Sequence, residues 1–237
     1  KIVIYIYNSY ILLLNKMKNL TIVIPAKNEA ESLPTVLDQF VNKNFEIFVV
    51  LEKTDSETIK SIENKNCKII YQTKKGFGNA LIEGINQTKT DYFCIFNADG
   101  SMEINEIDVM LKKISNNNYD LIFASRYEKG AKSDDDTFIT LIGNKIFTLI
   151  GKIFFSLPIT DILYTFVLGK TNKVNKLNLI QNDFRFCVEL PIKAKKNKYV
   201  LTTIVSHEKS RIAGKKKVNA FKDGFLILKE MIKLFFY

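Results

Sequence analysis

Apolar positions change their period along this chain. From Leu20 onward, short and nearly continuous apolar runs alternate with stretches of helical spacing. Strands are predicted over LTIVIPA (20–26), FEIFVVL (45–51), CKIIYQ (67–72), YFCIFNA (92–98) and DLIFASRY (120–127). Helices are predicted over 29–43, near Thr54 or Asp55, over 78–88 and over 104–114. Strands that lack polar alternation are buried on both faces, and helices between them imply a mostly parallel sheet covered on both sides. Ligands bind such sheets at the carboxyl ends of the strands, so the residues just after each strand are the ones to question.

Beyond Lys129 the pattern changes. SDDD (133–136) reads as a helix N-terminus, where carboxylates meet free N–H groups and the positive end of the dipole. It opens a helix over 137–157 whose apolar positions 138, 142, 146, 149/150, 153 and 157 form one stripe, ended by Pro158. ILYTFVLG (162–169) and YVLTTIVS (199–206) are predicted strands, and FRFCVELPIKAKK (184–196) is mostly helix. A last helix begins near Asn219; on it Leu226, Ile227, Met231, Leu234 and Phe235 share one face, with Lys229, Glu230 and Lys233 at its edges. With no internal repeat or low-complexity linker, 17–237 reads as one α/β domain, with a nucleotide-binding half (17–130) and an acceptor-side half (131–237). The apolar stretch 1–16 is shorter than the ~20 residues of a membrane span and shows no small-residue cleavage site. It is expected to be a lead-in outside the domain, either non-native or amphipathic.

Composition narrows the chemistry. Lys and Arg number 35 against 25 Asp and Glu, a formal charge of +10. That excess fits an anionic partner, or simply a Lys/Asn/Ile-rich composition. Cys67, Cys94 and Cys187 are far apart and His207 is the sole histidine, so zinc, disulfide and Ser-His-Asp arrangements lack their residues. Three reduced cysteines fit a cytoplasmic location. Most phenylalanines fall in core-like periods rather than between exposed basic residues, which argues against nucleic acid as a partner.

FNADGS (96–101) is the strongest local signal, because a strand running into a carboxylate-bearing turn puts Asp99 at the ligand rim. A divalent ion held there can bridge two phosphates. An Asp-Gly after a strand is also a common plain turn. The neighbouring segments, taken in order, raise its meaning. TIVIPAKNEAESLPTVL (21–37), KKGFGNALIEGI (74–85), FNADGS, DLIFASRY with Gly130, TDILYTFVLGK (160–170), and FRFCVELPIKAKK followed by RIAGKKKVN (211–219) together resemble family 2 glycosyltransferases. The last segments are similar to those of polyprenyl-phosphate sugar transferases.

The resemblance implies a Rossmann-like nucleotide-diphospho-sugar transferase fold, with amphipathic helices in the C-terminal half. It implies donor contacts from Pro25, Ala26, Asn28, Glu29, Glu52, Lys75, Gly76, Gly78, Asn97, Ala98 and Arg126, and Mg²⁺ or Mn²⁺ held by Asp99 with Asn97. Asp99, Asp161, Glu189, Arg211 and Lys217 are the expected catalytic residues. Four departures stand out: Asn97 replaces the first Asp of the metal motif; Leu51 or Glu52 occupies the nucleotide-facing Asp position; ILYTFVLG (162–169) lacks the Gly-Phe-Arg ending; and no Arg lies in the 137–157 helix, where relatives often carry one. Glu52 is the better choice, since a carboxylate can accept from a base N–H and Leu cannot. A silent relative is the alternative that Asn97 and Leu51 leave open. A sugar-phosphate nucleotidyltransferase is disfavoured, because PAKNEAE is not a glycine-rich loop with a basic tail.

The expected reaction is inverting transfer from a nucleotide sugar to polyprenyl phosphate or another membrane-associated acceptor, with a glycan hydroxyl as the alternative acceptor. A hydroxyl needs a base, for which Asp161 and Glu189 are candidates. A lipid monophosphate, with its second ionisation near pH ~6, needs none. Arg211 and Lys217 are expected on phosphate, with Lys215 and Lys216 on the surface. The 137–157 stripe and the 225–237 helix suit a peripheral location on the inner face of the membrane, although both could pack as ordinary core.

Overall fold

A computed structural model describes residues 19–214 and 216–236; the 1–16 lead-in and Lys215 lie outside them. Seven strands form one sheet in the order β3-β2-β1-β4-β7-β5-β8. They are β1 (Leu20–Pro25), β2 (Glu46–Leu51), β3 (Lys68–Tyr71), β4 (Tyr92–Ile95), β5 (Leu121–Ser125), β7 (Val167–Lys170) and β8 (Leu201–Val205). Only β7 runs antiparallel, against β4 and β5. A pair of two-residue strands, β6 (Lys132–Ser133) and β9 (His207–Glu208), lies beside it and is too short to leave a periodic signal.

Alternate strand residues feed two cores. Val23, Phe48, Val50 and Phe93 meet Leu81 and Ile85 of helix α3 (Phe77–Gln87) and Val188 of α7 (Phe186–Lys196). Ile22, Ile24, Val49 and Cys94 meet Leu33 of α1 (Leu33–Asp38) and Met110 of α4 (Asn105–Asn116). α1 is much shorter than the predicted 29–43 helix. Pro34 sits in its first turn, where it needs no N–H partner, and a helix begun at Glu29 would place that ring against an earlier carbonyl. α2 (Ser56–Ser61) is capped by Asp55 as expected, and a single turn, α6 (Thr171–Val174), follows β7.

The C-terminal half departs further from expectation. α5 (Phe138–Phe155) is capped by Thr137 rather than by the acidic run before it. Most of its predicted stripe faces outward: Phe138, Ile142, Ile146, Leu149 and Ile153 are exposed, while Ile150 packs against the core, Leu157 is buried, and Asn144, Thr148 and Gly151 face the protein. α8 (Ala220–Phe236) docks through Ile227, Met231 and Leu234, leaving Phe221, Phe225, Ile232, Phe235 and Phe236 exposed. Its predicted face therefore splits, and Glu230 is buried instead of lying at an edge. α5 and α8 lie side by side, with Phe235 edge-on to Phe154 and Phe155 at 5.8 and 6.1 Å.

Because β7 is antiparallel, it starts where β4 and β5 end. Residues 160–166 thus arrive at the rim of the sheet.

Candidate functional site

The rim is assembled from loops that latch one another. After β1, the Ala26 N–H donates to the Val50 carbonyl at 2.9 Å, extending the strand by one step. Asn28 takes a left-handed conformation (φ 52°), which short amide side chains tolerate. Its N–H donates to Asp55 at 2.7 Å, and the Glu29 N–H donates to Thr58 Oγ1 at 3.0 Å, tying this loop to α2. The buried Glu29 carboxylate accepts from the Ser32 hydroxyl at 2.8 Å and forms an ion pair with Lys217. After β2, Leu51 is core, whereas Glu52 meets Lys27 at 3.0 Å and Lys75 at 3.8 Å. Of the two candidates for the nucleotide-facing position, only Glu52 offers a carboxylate among the rim cations.

At the end of β4, Asp99 Oδ1 accepts from the Ser101 N–H at 3.0 Å and the Ser101 hydroxyl at 2.7 Å. Gly100 supplies the positive φ (79°) that this turn requires. Asp99 Oδ2 faces Arg211 Nη1 at 3.8 Å, beyond hydrogen-bond range. Ala98 is buried, and Asn97 Oδ1 is at the 3.5 Å limit of reach from the Thr165 hydroxyl. Segment 209–212 crosses this turn: the Lys209 N–H donates to the Ser101 carbonyl and the Ile212 N–H to the Asp99 carbonyl, both at 2.8 Å. Arg211 lays its guanidinium on Asp135, with Nη2–Oδ2 at 2.8 Å. Lys216 also pairs with Asp135, at 3.3 Å, so it is not a loose surface lysine. Partial burial alone would raise the Asp135 carboxyl, but the hydrogen bond and charge of Arg211, with Lys216, hold it below the usual carboxylate range.

Several expected site residues have structural work instead. Asp161 is fully buried, and both its oxygens are held by Arg126, at 2.7 Å from Nε and 3.0 Å from Nη2. The remaining Arg126 nitrogen, Nη1, reaches Glu208 at 3.2 Å, and the guanidinium lies over the Tyr164 ring at 4.5 Å. Burial works against the charged Arg126, but the two carboxylates outweigh it and keep the guanidinium firmly protonated. Arg126 is therefore not a free phosphate ligand, and Asp161 is not a free base. Glu189 is also fully buried: it accepts from the Ile180 and Gln181 N–H groups at 3.0 and 2.9 Å and pairs with Lys193 at 2.7 Å. It clamps a loop, with both its oxygens bonded within the protein. Gly76 and Gly78 are needed for close packing: a Cβ would stand 2.1 Å from the Asn182 carbonyl oxygen at Gly76 and 2.2 Å from that of Gln181 at Gly78. What approaches these glycines is the 181–183 backbone.

With the rim in place, the comparisons are decisive. The model of "Glycosyl transferase family 2" matches residues 21–177, well over half of the chain. This chain belongs to that family. It is 28% identical over 193 residues to dolichol-phosphate mannosyltransferase of Pyrococcus furiosus, spanning 76% of this chain and about half, 54%, of that protein. Glucosyl-3-phosphoglycerate synthase of Mycobacterium tuberculosis, in complex with Mn²⁺, UDP and glucosyl-3-phosphoglycerate, superimposes with a TM-score of 0.72 at 11% identity, covering 94% of this chain and 81% of its own. Mannosyl-3-phosphoglycerate synthase of Rubrobacter xylanophilus does so with a TM-score of 0.70 at 11% identity, covering 93% and 76%. These likenesses confirm the nucleotide-diphospho-sugar transferase (GT-A) fold that the motif order implied.

Within this family 2 rim, sequence reasoning missed Asp135 and Glu208. Asp135 was hidden inside a run that reads as a helix start. Glu208 follows the sole histidine on a two-residue strand and carries no local signal.

Proposed function

We propose that this chain transfers a sugar from a nucleotide sugar to polyprenyl phosphate at a membrane surface. The observation that carries the reading is the Asp99 carboxylate with one oxygen outside its own turn, 3.8 Å from an arginine that crosses the same rim. A diphosphate entering there would meet Arg211, with Lys217 across the rim on Glu29 and Lys27 and Lys75 around Glu52.

Among the described residues no group of three acidic, histidine or cysteine side chains gathers to hold a metal. A single carboxylate is still a sufficient protein share for Mg²⁺ or Mn²⁺, since Mg²⁺ keeps several waters and takes one or two carboxylates plus substrate phosphates. Asp99 would hold the ion, with Asn97 as a neutral oxygen donor. Such an ion supplies charge neutralisation to the departing diphosphate.

The acceptor assignment rests on what the rim withholds. Asp161 and Glu189 are buried and engaged by partners within the protein, so neither is free to deprotonate a sugar hydroxyl. An acceptor that arrives ionised needs no base, which favours a phosphate over a glycan hydroxyl. The dolichol-phosphate mannosyltransferase relative points the same way by its name. The outward faces of α5 and α8 form an apolar surface larger than scattered exposed residues would make. Among the described residues α5 is the one helix long and apolar enough to cross a membrane. Its inward face carries Asn144 and Thr148 bonded to the protein, so we read it as lying in the interface, flanked by Lys145 and Lys152.

The test is release of nucleoside diphosphate from a panel of nucleotide sugars with Mn²⁺, offered polyprenyl phosphate, a soluble phosphorylated acid or an oligosaccharide. Release that depends on polyprenyl phosphate, and falls at least about 100-fold in Asp99→Ala, supports the reading. Release only with an oligosaccharide reinstates the hydroxyl acceptor, and none with any combination refutes the assignment.

A further inference from the structure

We infer that Asp135 is a positioning residue for the transfer: it orients Arg211 toward the ground in front of Asp99 and keeps the two from collapsing onto each other. The inference rests on the reading above that the rim takes a nucleoside diphosphate.

Arg211 offers the Nε/Nη2 side of its guanidinium to Asp135, at 3.4 Å to Oδ1 and 2.8 Å to Oδ2. A side-on fork of this kind fixes the plane of the group as well as its position. Among the described residues Nη1, on the opposite corner, has no hydrogen-bond partner, and Asp99 Oδ2 lies at 3.8 Å. The backbone beneath is held independently by the two bonds from Lys209 and Ile212 to the 99–101 turn. Ile212 lies so close over Gly100 that a Cβ there would stand 2.4 Å from Ile212 Cδ1.

Asp135 follows β6, whose pairing with β9 ties it to the chain that leads into Arg211, and it has a second anchor through its neighbour. Next to it, Asp136 accepts from the Tyr127 hydroxyl at 2.5 Å and from the Thr140 hydroxyl, joining the end of β5 to the first turn of α5. Tyr127 in turn accepts from Asn144 at 2.9 Å. The carboxylate that aims Arg211 is thus fixed to the end of β5 and to α5 as well as, through the β6–β9 pair, to the strand that precedes Arg211. Without Asp135, the nearest anion for the guanidinium is Asp99, and direct pairing would occupy the oxygen that an ion or a phosphate needs. With Asp135, which Lys216 shares, the Nε/Nη2 side of Arg211 is held, and its free edge can donate to a diphosphate without first breaking an ion pair at Asp99.

The experiment is calorimetric titration of UDP and of GDP, each with Mn²⁺, into the unmodified chain, Asp135→Asn, Asp135→Glu, Arg211→Ala and the double variant Asp135→Asn/Arg211→Ala. Whichever diphosphate binds the unmodified chain should bind Asp135→Asn roughly 10- to 100-fold more weakly, the scale for a misplaced catalytic group. Asp135→Glu should recover part of the loss, and the double variant should bind no worse than Arg211→Ala alone, as expected if one residue acts through the other. Thermal midpoints run in parallel should coincide for the unmodified chain and Asp135→Asn. Unchanged affinity in Asp135→Asn, or additive losses in the double variant, overturns this inference alone. An unmodified chain that binds neither diphosphate overturns the donor reading and this inference with it.

Discussion

Helices α3 and α5 carry the same kind of apolar stripe and turn it to opposite sides. In α3, Leu81 and Ile85 lie at 0 and 1% exposure against the sheet. Gly84 sits so close that a Cβ would stand 2.4 Å from Val23 Cγ1 and 2.9 Å from Val50 Cγ2. In α5, Phe138 and Ile153 of the stripe are 76 and 64% exposed, while the side that meets the protein carries Asn144, Thr148 and Gly151 beside the partly buried Phe147, Ile150 and Phe155. Those polar groups are employed: Asn144 donates to Tyr127, and Thr148 accepts from the Ile162 N–H at 3.2 Å. A helical period establishes that certain residues share a side. Whether that side faces a protein core or another apolar medium depends on what the opposite side can bond.

The contrast can be broken by substitution. The largest effect is expected from Leu81→Ala, which should lower unfolding free energy by about 2–5 kcal/mol, the usual range for a core leucine. Ile153→Ala in α5 should stay within roughly 0.5 kcal/mol, as for other exposed sites. Equal losses in denaturant titration would show that the α5 stripe is core after all. Gly84→Ala is expected next, costing about 1–3 kcal/mol by overpacking against the two valines; a neutral result would mean that α3 does not approach the sheet so closely.

The triple change Ile142→Glu, Ile146→Glu and Ile153→Glu should leave the fold intact and weaken flotation with anionic liposomes at least about tenfold, since it removes the apolar face on which interfacial binding depends. Unchanged flotation would take the membrane reading away from α5. The smallest effect is expected from Gly143→Ala, since no atom lies within 4 Å of a Cβ built there. It should stabilise by up to about 1 kcal/mol through helix propensity alone. A loss of stability would reveal a partner pressed against that face.

Legibility followed the same division. The strands from β1 to β5 lie inside their predicted spans, since an apolar run buried on both faces admits few other arrangements. Asp99 at the rim was readable because strand and turn are neighbours in the chain. The direction of β7 was not readable, since four residues pair equally well either way until their neighbours are placed. Asp161, Glu189 and Arg126 were recognised as charged residues in motif positions, but their partners were not visible. Arg126 and Asp161 are separated by 35 residues, and Arg211 and Asp135 by 76.

Chain-local physics therefore determined the alternation of strands and helices, the end of the sheet where chemistry belongs, and the stripe on α5. The tertiary structure alone decided which carboxylates are buried and spent on partners within the protein, as at Asp161 and Glu189, and which keep an oxygen facing the rim, as at Asp99. The reason is that electrostatic and hydrogen-bond energies fall steeply with distance, and for residues this far apart in sequence, distance is set by the packing of the sheet and not by the chain between them.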